Sequence, residues 1–116
     1  MFKIKRVYED PSPDDGYRVL TDRLWPRGLK KSDVDYDDWA KEISPSSELR
    51  KWFGHEPKKF RSFRTKYLKE LKNPEAQDKL KELRKQGRKE NVTLLYGARD
   101  EEHNHAVILK EALAKR

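Results

Sequence analysis

The chain has 116 residues, 42% charged and 34% hydrophobic, and no cysteine. That is enough chain for one modest core, and it excludes a disulfide framework and any thiol nucleophile. The net charge of +7 sits mid-chain: residues 50–90 hold 15 Lys and Arg against 6 Asp and Glu, residues 1–49 hold 9 against 11, and residues 91–116 hold 4 against 4. No apolar run reaches the length of a membrane span or a secretory leader, so a cytoplasmic protein with no membrane partner is expected. The richness in Lys, Glu and Arg also fits a protein from a hot environment.

Phe2 to Tyr8 alternates apolar and polar side chains, which predicts a half-buried strand over residues 4–8. EDPSPDDG, residues 9–16, is a loop, and a second strand follows over residues 18–22. That strand runs into TDRLWPRG, where Pro26 and Gly28 stop regular structure. Between Lys31 and Glu42, the residues Val34, Tyr36 and Trp39 mark either a short strand or an irregular connector. Ser44 to Glu48 offers hydroxyl caps for a helix that ends at Gly54. Phe60, Phe63, Tyr67 and Leu71 repeat at helical spacing within residues 57–72. Asn73-Pro74 opens another helix over 74–86, with Gly87 as its expected end. Val92 to Tyr96 is almost continuously apolar, as in a parallel strand buried on both faces, and residues 101–115 read as a final helix. The pattern predicts a single α/β domain over residues 1–116, a small and mostly parallel sheet with helices packed on it.

In open α/β sheets, ligands sit beyond the carboxyl ends of the strands. Two predicted strands end in polar loops, Asp22 to Gly28 and Gly97 to His105. If those strands lie parallel, Arg23, Trp25, Arg27, Arg99, His103 and His105 converge on one edge with Asp22. Arginine's planar fork suits carboxylate or phosphate, and histidine binds an anion or moves a proton. This set forms the candidate ligand site, and Asp22, His103 and His105 are its candidate catalytic groups. Trp52 and His55 are candidate further walls.

Plainer roles remain open to the same residues. Arg23 is able to pair with an acidic residue on a helix, Trp25 to cap the core, and Asp100 to cap a helix beginning at Glu101. Glu101 and Glu102 complement that helix dipole and would compete with a phosphate there. His103 and His105 point about 200° apart on a helix. No third ligand stands at a zinc spacing, so no metal is expected. There is no glycine-rich phosphate loop and no nucleophile turn, so neither a cofactor nor a particular reaction is expected.

Four stretches carry a resemblance: RVLTDRLWPRGL, DYDDWAKEISPSSELRKWFGHEP, the Phe60, Phe63, Tyr67 spacing, and VTLLYGARDEEHNHAVIL. Together, from Tyr17 to about Leu113, they resemble the domain of unknown function 488 family, its short YeaO-like members. The resemblance implies a compact α/β fold with the two loops forming a site, and it brings no established activity. Distant members resemble an Asp-x-Arg after an early strand and a Cys-His-Arg-like cluster after a late one. Here Asp22-Arg23 matches the first in shifted form. His103-Asn104-His105 replaces the second without a cysteine, leaving His105 nearest to the family histidine.

Two functional classes follow. One is a site for a small anionic or nucleotide-like ligand, with or without catalysis. The other is a nucleic-acid-binding module that uses the basic helices of residues 50–90, with weak, salt-sensitive binding. Lys58, Lys59, Arg61, Lys66, Lys69 and Lys72 also read simply as a solvated helix face. A purely structural interaction protein is the third reading.

Overall fold

The computed structural model describes residues 1–115. Four parallel strands, β1 (Phe2–Arg6), β2 (Tyr17–Leu20), β3 (Asp38–Trp39) and β4 (Val92–Tyr96), stand in the order β1-β4-β2-β3. The four α-helices are α1 (Ser47–Phe53), α2 (Phe60–Glu70), α3 (Pro74–Lys89) and α4 (His105–Ala114). None is long and apolar enough to cross a membrane. The last strand in sequence lies at the centre of the sheet, and every residue of it is buried.

Side-chain alternation divides β4 between two cores. Val92, Leu94 and Tyr96 join Val19 of β2 on one face, under residues from all four helices. Leu95 joins Leu20 and Val7 on the other face, where no helix packs. Val34, Trp25, Leu29, Tyr36 and Trp39 cover that side instead. The segment between β2 and β3 therefore does the work of a helix layer.

Several boundaries differ from the sequence expectation. The first strand lies at Phe2–Arg6 and the second at Tyr17–Leu20, so Thr21 and Asp22 belong to the loop. Residues 31–42 prove to be both alternatives: turns of 3-10 helix at Lys31–Asp33 and Lys41–Ile43 flank the two-residue β3. Gly87 does not end its helix, which runs on to Lys89. A Cβ at Gly87 would stand 2.8 Å from the Phe2 ring, so the glycine is there for close packing. The final helix begins at His105, not Glu101, and its cap is Asn104, whose side chain accepts from the Val107 N–H. Asp100 instead accepts from the N–H groups of Glu102 and His103 in the preceding loop. The Ser46 and Asn73 caps stand where hydroxyl and amide caps were expected.

The polar half of the helix-free face is held by buried charge. Asp15, with 2% of its side chain exposed, pairs with Arg18 and lies 3.0 Å from Lys5 Nζ. The Arg18 guanidinium also donates to the Asp35 carbonyl, and Thr93 donates its hydroxyl to the Asp15 carbonyl. Burial pushes the Asp15 carboxyl up, but the Ser12 N–H, Lys5 and Arg18 together hold it below its ordinary value. Its stabilisation is therefore present above the ordinary carboxylate range and is lost as pH falls through the depressed value. Asp15→Ala should cost about 3–5 kcal/mol in urea unfolding, because it leaves Arg18 buried without its partner. Asp15→Asn should flatten the acid limb of the stability profile. An unaltered limb would place the acid sensitivity elsewhere.

Candidate functional site

Because β2 and β4 are parallel neighbours, the loops that leave them emerge on the same edge of the sheet. A cavity of about 440 Å³ lies there. Asp22, Arg23, Trp25 and Arg27 line it from the first loop, and His103 and His105 line it from the second. Arg50 and Lys51 of α1 and His55 just beyond it complete the cationic wall, while Phe53 and Phe63, stacked 4.3 Å apart, form the apolar one. All three histidines of the chain thus meet one cavity.

Asp22 fastens the two loops together. Its Oδ2 accepts the Gly97 N–H at 3.0 Å, so close that a Cβ on Gly97 would stand 2.7 Å from that oxygen. Only glycine leaves room for this bond. Oδ1 is buried without a hydrogen-bond partner among the described residues and lies 3.3 Å from His105 Nε2. Thr21 donates its single hydroxyl proton to the Leu95 carbonyl, and His105 Nε2 lies 2.9 Å from the same Thr21 oxygen. With Thr21 donating to Leu95, the tautomer protonated at Nε2 fits, because a bare lone pair there would face lone pairs of both Thr21 and Asp22. Asp22 and His105 are coupled, and both hold the loops in place.

Arg23 takes neither of its two expected roles in simple form. It makes no ion pair with a helix carboxylate among the described residues; its Nε donates to the Pro45 carbonyl at 2.9 Å. A longer 3.4 Å contact reaches the Ser44 carbonyl. It lines the cavity and ties the entry of α1 to the first loop at once. Trp25 meets Tyr36 and Trp39 edge-on at 5.5 and 5.3 Å and donates to the Leu29 carbonyl. It anchors the second core and lines the cavity with what remains exposed. Arg27 is exposed, and its guanidinium has no partner among the described residues; only its backbone carbonyl is used, accepting from the Tyr8 hydroxyl at 2.8 Å.

His103 stands at the rim, its Nδ1 2.9 Å from Asp100 Oδ2 and its ring edge-on to Phe60. The His103 and Glu102 backbone N–H groups hold the Asp100 carboxyl below its ordinary value. Arg99 does not join the others: it is exposed on the loop, outside the cavity lining. Trp52 is also outside, although its neighbour Lys51 is within. No group of three or more His, Cys, Asp or Glu among the described residues is placed to hold a metal ion.

Sequence reasoning missed Arg50 and Lys51, which it counted among the basic helices. The missing signal was β3. Its two residues end on the same edge, so the chain enters α1 beside the cavity, but a strand that short leaves no period to read. His55 holds a left-handed backbone, φ 57°, alone among the described non-glycine residues, and turns the chain back towards α2 at the cavity wall.

A family model described as the inactive DUF488-N3 subclade matches residues 1–116. The chain belongs to that subclade. It is 48% identical to the uncharacterized protein YeaO of Escherichia coli K12 over 109 residues, 94% of this chain and 93% of that one. It is 42% identical to the uncharacterized protein Rv3073c of Mycobacterium tuberculosis H37Rv over 111 residues, 96% of this chain and 92% of that one. No solved structure matches. The motifs that carried the resemblance all fall within the matched span.

In this DUF488-N3 member, Asp22 should prove the clasp of the cavity. Asp22→Ala should cost about 1.5–3 kcal/mol, the worth of a hydrogen bond to a charged group. It should also speed hydrogen exchange at the Gly97 amide by about tenfold or more. Unchanged exchange at Gly97 would show that the loops are held without it.

Proposed function

We propose that the cavity binds a small anionic ligand of phosphate or nucleotide-like chemistry, and holds it without turning it over. One observation carries the reading. Arg23, Arg27, Arg50 and Lys51 line the cavity against a single carboxylate, Asp22, which is already engaged by Gly97 and His105. Cations without counter-charge at the carboxyl ends of parallel strands suit an anion. The apolar wall of Phe53 and Phe63 suits a planar group attached to it. The description of the subclade as inactive supports binding over catalysis.

Calorimetric titration with AMP, pyrophosphate and inorganic phosphate, at constant ionic strength, tests this directly. Arg27→Ala should weaken AMP binding by about tenfold or more, since a charge-assisted hydrogen bond contributes about 1.5–3 kcal/mol. Its melting temperature should hold, because the guanidinium supports nothing else. Arg23→Ala should lower affinity and also destabilise by about 1–3 kcal/mol, because the Pro45 carbonyl loses its donor. Absence of binding by all three anions, or equal binding by the wild type and both variants, would overturn the reading.

A further inference from the structure

A second cationic cluster follows the cavity wall in the chain. Lys51 is followed directly by Trp52, a residue 38% exposed. The ammonium groups of Lys59 and Lys66 lie 5.1 and 4.9 Å from its centroid. Lys59 also donates to the Trp52 carbonyl and has one carboxylate nearby, Glu56 at 3.5 Å. Lys66 has no carboxylate partner among the described residues. The electron-rich ring face gathers two cations, of which Glu56 answers Lys59 while Lys66 keeps its full charge, because a quadrupole adds no net charge. Positive charge is thereby gathered where α1 meets α2 and the turn before it, with Trp52 one residue along the chain from the cavity-lining Lys51.

We infer that this surface and the cavity form one interface for the phosphorylated end of a single-stranded nucleic acid. The inference rests on the anion-binding reading of the cavity and extends it. The terminal phosphomonoester carries up to two charges and enters beside Arg27 and Arg50. The phosphodiesters that follow, one charge each, run past Lys51 to the Trp52 cluster. Charge complementarity argues for this partner: residues 50–90 carry 15 basic against 6 acidic residues. A lone small anion would leave Lys66 at Trp52 unanswered, whereas a chain of phosphates reaches it and Lys59 beside it. Trp52, partly exposed beside those ammonium groups, adds apolar aromatic surface for a base, which tolerates any sequence.

The test is fluorescence anisotropy with 12-nucleotide strands of mixed sequence, DNA and RNA, bearing a 5′-phosphate, a 3′-phosphate or hydroxyls at both ends. One of the two phosphorylated forms should bind about tenfold tighter than the hydroxyl form, and Arg27→Ala should abolish that preference. In Lys59→Ala/Lys66→Ala, every strand should bind more weakly, and the salt dependence should fall by about two charges. Equal affinity for all ends, or an unaltered salt slope in the double variant, would overturn the inference. AMP titration of the unmodified protein separates the two levels. AMP bound with no preference for a phosphorylated end leaves the cavity reading standing and removes this one. No AMP bound and no end preference removes both.

Discussion

β4 is buried on both faces while all four helices pack on one, and the rest of the molecule answers to that constraint. An exposed face bearing Leu20 and Leu95 would leave apolar area in water at a cost of roughly 25 cal/mol per Å². The segment after β2 removes that cost by folding down over the face, with Trp25 held between Tyr36 and Trp39. The same segment then has to supply the wall of the cavity, because it leaves β2 at the carboxyl edge. TDRLWPRG is therefore both a lid on the core and the border of the site. Its arginines are carried by a loop fixed through a buried tryptophan, which reduces the ordering cost of any ligand that meets them.

Acidic and basic residues are used differently. Asp15 is engaged by Lys5 and Arg18, Asp22 by the Gly97 N–H and His105, Asp38 by Lys79, and Asp100 by His103 and two backbone N–H groups. At Lys79 burial alone would lower the ammonium's proton affinity, yet Asp38, Glu82 and Glu42 raise it well above the ordinary value. Burial also lifts the Tyr67 phenol well above its usual range, with Glu70 and Asp22 adding to it, so it remains a neutral donor to the Ile43 carbonyl. The carboxylates are spent on scaffold. Positive charge that no carboxylate among the described residues answers appears at Arg27, Arg50 and Lys51, and at Lys66 beside Trp52.

Those two constraints explain what could be read from the sequence. Val92 to Tyr96 was legible because burial on both faces erases alternation, and a short continuous apolar run is the signature of that. The loops were legible as neighbours because parallel strands place their carboxyl ends together. Residues 101–104 misled because Asp100-Glu101-Glu102 has the composition of a helix start. The chain instead spends Asp100 on a turn and leaves the cap to Asn104. Arg99 misled for a related reason: the turn carries it outward, and nothing in its sequence neighbours fixes a direction. Gly87 looked like a stop, because a glycine chosen for contact with a distant ring reads the same as one chosen for its backbone. Phe2, its partner, lies 85 residues earlier.

The histidines show how far the site's geometry goes towards chemistry. His105 spends its Nε2 proton on Thr21 and Asp22, and its ring packs edge-on to Tyr67. A group so engaged positions the start of α4; to act as an acid it would have to break the contact that holds the two loops. His103 has an Nε2 without a partner among the described residues and a carboxylate behind Nδ1, the arrangement of a general base. Among the lining side chains the Tyr8 phenol carries the one hydroxyl, and it donates to the Arg27 carbonyl, so a base there would act on water or on a bound molecule. What is left is a rim imidazole beside unopposed cations, able to add one more hydrogen bond to an anion.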